Sequence, residues 1–240
     1  MTNACNNHYE QLHEASSVVL EASFGEPYAA AMAKSHAFID DFALWIEVLG
    51  NRPEKPVFQS ALREYQFALL ALSVGHYRAA FVALRLSLEL GLAAIQWSAN
   101  ERELREWLKG RRDSNWAALV DNENGIFSKQ FVNLFFEGLA NEASGYRASA
   151  VAVYRECSEY VHGNAHTHET LPEQIVFNGP SFDAWQQKAS VVRLIITFAL
   201  AARYLIDLDQ AARSRLEHIL IDYLGHSVGI RVLLGVPIEE

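Results

Sequence analysis

Apolar residues recur every three or four positions along most of this chain, a spacing that predicts helices. Between 57 and 73, Phe58, Leu62, Tyr65, Leu69 and Leu72 fall on one stripe. Between 77 and 97, Ala80, Leu84, Leu88 and Leu92 line one face, and Arg85 and Glu89 stand one turn apart, the spacing of a helical ion pair. Helices this apolar on most sides belong inside a bundle. The same reading predicts helices over 8–24, 27–49, 101–109, 128–143, 146–162, 181–207 and 211–224. Pro27 suits a first turn, Asn100 and Ser181 suit N-caps, and Gly50, Gly75, Gly145 and Gly163 mark breaks. Residues 110–125 and 163–180 read as polar, irregular segments, and 228–240 as a short strand or a docked extension.

The expected fold class is therefore all-α, an up-and-down helical bundle with additional N-terminal helices. The expected division is an N-terminal helical extension over 1–52, the bundle over 53–225 and a tail over 226–240. With 240 residues, half of them hydrophobic, and only 6 Pro and 13 Gly, the chain is rich enough in helix formers to bury a large core. No repeat at 33 to 47 residues is present, so a solenoid is not expected.

Charge and cysteine usage narrow the function classes. A net charge of −9 argues against general adhesion to nucleic acid or to an anionic membrane, so any polyanion must meet a local basic site. Two cysteines, Cys5 and Cys157, are too few for the disulfide framework of a secreted domain, and the expected compartment is the reducing cytoplasm. The N-terminal segment has no basic stretch followed by an apolar run, so no signal peptide is expected. The most apolar stretch, 191–205, is broken by Arg193 and Arg203, and no membrane span is expected.

The segment richest in candidate chemistry runs from Tyr154 to Gly163. Arg155 and His162 stand seven positions apart, nearly two helical turns, so in a continuous helix they would share one face about 10 Å apart along the axis. Ser158 and Glu159 lie between them. A guanidinium holds a phosphodiester bidentately and keeps its charge, whereas an imidazole exchanges protons near neutrality. Such a pair suits phosphate chemistry without a cofactor.

With those residues in view, the chain resembles the HEPN superfamily, helical bundles marked by an Arg, four to six residues, then a His. Arg155 and His162, with six residues between them, fit that motif. Residues 73–92 resemble the family's earlier helix, and the likeness spans about 57–205. It implies a homodimer in which the motif helices of two copies face one another across a cleft. It implies also metal-independent RNA cleavage in a toxin or phage-defence setting, with an antitoxin or regulatory protein as a further partner. In that reading His162 is the general acid or base, Arg155 stabilises the transition state, and Ser158 or Glu159 orients them. Glu156 departs from the small polar residue that often follows the family's Arg, and Glu159 adds a second carboxylate beside RNA.

Other readings of the same residues stand beside this one. Arg155 and Glu159 have the spacing of an ordinary ion pair, with His162 as a helix C-terminal cation. That favours a non-catalytic helical dimer binding a protein or a nucleotide. His162, His166 and His168 form an H-x3-H-x-H pattern that would suit a metal-dependent hydrolase, although Gly163 and Asn164 interrupt the helix it needs. The stretch from Trp107 to Arg112, followed by Trp116, gathers basic and aromatic residues that would suit a nucleic-acid backbone and a stacked base, or else a solvated loop.

Overall fold

A computed structural model describes residues 2–162 and 165–235. Among them are twelve α-helices and no strand: α1 (Thr2–Ser23), α2 (Ala29–Val48), α3 (Lys55–Ser73), α4 (Tyr77–Ser98), α5 (Glu101–Leu108), α6 (Trp116–Leu119), α7 (Lys129–Phe136), α8 (Ala143–Ser158), α9 (Ala165–Thr170), α10 (Gly179–Tyr204), α11 (Gln210–Leu224) and α12 (Val228–Leu234). Short 3-10 turns follow α7 and α10.

The expected cap at Asn100 forms, and Ser128 and Asp209 cap two further helices. Asn100 accepts from the Glu103 amide at 3.3 Å, Ser128 from Phe131 at 3.1 Å, and Asp209 from Ala212 at 2.8 Å. At α10 the cap is Asn178, which accepts from the Ser181 amide at 2.9 Å, so the helix begins before the expected Ser181. The α3–α4 turn closes on Gly75 at φ +82°, a conformation that a side chain would strain.

Six of the long helices, α2, α3, α4, α8, α10 and α11, alternate in direction. Tyr65 donates to the Ser35 carbonyl and Phe58 meets Phe42, so α3 runs back along α2. Ser87 donates to the Ala61 carbonyl, so α4 returns along α3. Tyr146 stacks on Phe198 while Glu156 pairs with Lys188, which sets α8 antiparallel to α10. Arg215 meets Glu47 and Tyr223 meets Asp41, so α11 runs back along α2. This is the expected up-and-down bundle, with α4 and α10 at its centre. Leu84, Leu88, Leu92, Trp185, Ile195 and Phe198 are fully buried there, each contributing roughly 1.5–3 kcal/mol of apolar burial.

Helices α4 and α10 are also long and apolar enough to cross a membrane by length and composition, more than the sequence reading allowed. In the fold both are mostly buried against their neighbours.

The expected boundary at residue 52 does not separate two packed units. Phe38, Phe42 and Trp45 of α2 belong to the same core as α3 and α10. Helix α1 stands apart, packing on α3 through its last turns, with Val19 and Ser23 buried and residues 3–11 exposed. The tail begins as a helix: Ile230 of α12 is buried, and Gly229 lies so close to Gly138 that a Cβ would sit 2.5 Å from the Gly138 carbonyl oxygen. Residues 236–240 lie outside the described residues.

Candidate functional site

Helix α8 is anchored by Tyr146, Ala150, Val153 and Cys157, an i, i+4, i+7, i+11 stripe turned into the core. The opposite face carries Ala148, Val151, Ala152 and Arg155, all exposed. The helix stops at Ser158, four residues before the expected end, and 159–162 form turns in which the His162 amide still reaches the Ser158 carbonyl at 3.3 Å. Arg155 and His162 are both exposed, and among the described residues neither side chain makes an ion pair or hydrogen bond. The Arg155–Glu159 ion pair that the spacing permits is not formed.

The two residues between them face elsewhere. Ser158 is turned toward α4, where its hydroxyl accepts from Arg85 Nε at 2.8 Å and donates to the Tyr154 carbonyl at 2.7 Å. Glu159 is half-buried and lines a small cavity of about 270 Å³ beside the start of α10. Glu156, the departure from the family pattern, is neutralised by Lys188 Nζ at 2.7 Å. Cys157 is buried, and burial pushes its thiol up to about 12, so it is no nucleophile.

Beneath this face lies a polar network that the sequence reading missed except for one pair. Arg85 meets Glu89 at 3.4 Å, as their spacing predicts. Tyr154 donates to Glu89 at 3.1 Å, Ser114 donates to the other oxygen of Glu89, and Arg85 donates to the Tyr154 hydroxyl. Burial, then the Glu89 charge, raises the Tyr154 pKa. The network clamps α8 to α4 and opens onto a cleft of about 750 Å³ lined by Arg85, Arg112 and Trp116.

The basic and aromatic stretch is not a stacking surface. Trp107 packs on Trp97 with ring centroids 5.3 Å apart, and Trp116 lies flat on Tyr154 at 3.6 Å. Arg112 is paired with Glu103 at 3.1 Å and Glu106 at 3.6 Å. Packing within the protein satisfies rings that sequence alone left free.

The three histidines also separate. His162 faces solvent, and His168 on α9 accepts through Nε2 from the Arg78 guanidinium at 3.3 Å. The side chain of His166 lies outside the described residues. Among the described residues no three His, Cys, Asp or Glu side chains converge as a metal site. Comparison of the chain with protein-family models, with curated proteins and with solved structures found no match.

Proposed function

We propose that this chain is a metal-independent endoribonuclease of HEPN type, acting as a cytoplasmic homodimer in a toxin–antitoxin or phage-defence setting. One observation carries the reading: Arg155 in the last turn of α8 and His162 in the turn that follows the helix are both exposed and unengaged among the described residues, and the exposed face of α8 also carries the small residues Ala148 and Ala152. An unpaired guanidinium keeps its fork of N–H donors free for a phosphate, and an imidazole open to solvent can exchange its proton with a substrate.

The chemistry follows from the two side chains. A neutral imidazole takes the proton of a 2′-hydroxyl, the 2′-oxygen attacks phosphorus, and the bond to the 5′-oxygen breaks. The products are a 2′,3′-cyclic phosphate and a free 5′-hydroxyl. The leaving 5′-oxygen needs a proton as it departs, and one imidazole cannot give and take at once. A second copy, with its α8 face against the first, supplies the second imidazole. The guanidinium of Arg155 balances the charge on the non-bridging oxygens. The Glu156–Lys188 pair removes much of the repulsion that a lone carboxylate next to Arg155 would impose on RNA.

The test compares wild type with His162→Ala and Arg155→Ala on total RNA in EDTA, with dimer mass measured in parallel. Cleavage that survives EDTA and vanishes in both variants supports the reading. Undiminished cleavage in His162→Ala overturns it.

A further inference from the structure

A cleft of about 1270 Å³ lies away from Arg155, between the first half of α1, the α3–α4 turn, α9 and the segment 171–175. Four groups suited to anions meet around it: His8 from α1, His76 and Arg78 from the start of α4, and His168 from α9. Glu173 is the one carboxylate in its lining among the described residues. The lining thus sets one guanidinium and three imidazoles, brought in by α1, the start of α4 and α9, against a single carboxylate. The start of α4 adds to it, since its first turn holds no acidic residue and its amides have no side-chain cap.

We infer that this cleft is a groove for single-stranded RNA, holding the part of the strand that runs on from the Arg155/His162 end of α8. The choice of occupant rests on the ribonuclease reading; the groove itself rests on its lining. Its volume exceeds the roughly 300–1,000 Å³ of sites for drug-sized ligands, which suits more than one nucleotide. Phosphates find Arg78 and the imidazoles, while Gln11 and Gln174 in the lining offer amides to base edges. Next to His8 on α1 the ring of Tyr9 is 66% exposed and stands edge-on to the imidazole at 5.6 Å, which leaves an open aromatic face for an unpaired base. His168 follows His162 by six residues, a chain reach of about 22 Å at most, so one strand of a few nucleotides spans both places.

Arg78 and His168 also meet each other across the groove: the guanidinium donates to His168 Nε2 at 3.3 Å, which holds both side chains at one place in the lining.

The experiment is fluorescence anisotropy with a labelled single-stranded ribohexamer, run on His162→Ala protein so that the probe stays intact. Expected are a loss of about tenfold in Arg78→Ala and in His168→Ala, and retention in Arg78→Lys, which keeps the charge. The slope of log affinity against log salt should shrink by about 0.7 for each phosphate that is no longer neutralised. Circular dichroism of each variant separates damage to the groove from damage to the fold. Affinity unmoved by Arg78→Ala and His168→Ala, or a mononucleotide that displaces the hexamer at equal concentration, overturns the groove. Cleavage by wild type with affinity unmoved in the groove variants overturns the groove alone; hexamer binding through the groove with no cleavage overturns the ribonuclease reading alone.

Discussion

Arg193 in the middle of α10 and Arg155 in the last turn of α8 carry the same charge under opposite conditions. Arg193 is 3% exposed, and its guanidinium donates to the Ser35 hydroxyl at 2.7 Å and the Tyr65 hydroxyl at 3.3 Å, while its Nε–H has no acceptor among the described residues. The hydroxyls that solvate it come from α2 and α3, so the buried charge ties three helices together. Arg155 ties nothing. A buried cation costs several kcal/mol and persists only where the fold surrounds it with polar partners, whereas a surface cation is nearly free of constraint and open to a ligand. Position in the bundle, not residue type, separates the structural arginine from the candidate catalytic one.

The sharpest test of that contrast is kinetic. His162→Ala should lower RNA cleavage by about 10²- to 10⁴-fold, the usual range for a missing general acid or base, with thermal melting unchanged. An unfolded variant would place His162 with Arg193 on the structural side. Next in size is Arg193→Ala, expected to cost about 2–4 kcal/mol in urea denaturation through the cavity and the stranded hydroxyls, while Arg155→Ala stays within about 0.5 kcal/mol. Arg193→Met should recover most of that loss, since a well-packed apolar chain often replaces a buried charge without penalty. If Met proves as costly as Ala, the hydrogen bonds of the guanidinium matter more than its volume.

The polar clamp between α4 and α8 stands between these extremes. Tyr154→Phe removes the donor to Glu89 and the acceptor for Arg85, and should cost about 1–2 kcal/mol. Cys157, on the inner face of the same helix, gives a pH signature. Its thiol, pushed up to about 12 by burial, binds a proton more tightly folded than unfolded. The contribution is fully present below the ordinary thiol range and is lost as pH rises from about 8.5 toward 12. Iodoacetamide at pH 8.5 should accordingly label the exposed Cys5 and leave Cys157 unmodified until denaturant is added. The smallest effect belongs to Lys188→Met, whose half-exposed partner Glu156 makes the pair worth under about 1 kcal/mol. In cleavage, however, that variant should bind RNA more weakly, because Glu156 is left unneutralised beside Arg155.

The sequence by itself determined where the long helices lie, where several begin and turn, and which face of each is apolar, whereas the short α6, α9 and α12 fall in segments expected to be irregular or a strand or docked extension. Those are local properties: Asn100, Ser128 and Asp209 cap their own first turns, Gly75 supplies its own φ, and the stripe of Leu84, Leu88 and Leu92 follows from 3.6 residues per turn. It also paired Arg85 with Glu89, since both lie on one helix. Only the tertiary structure decided what those residues meet. Ser158 points to Arg85 across 73 positions, Trp116 covers Tyr154, Lys188 neutralises Glu156, and Arg78 finds His168 across 90 positions. Helix periodicity fixes the side of a helix on which a side chain emerges. Which other helix waits there is set by how six apolar faces pack together, a property of the whole chain that no local window contains.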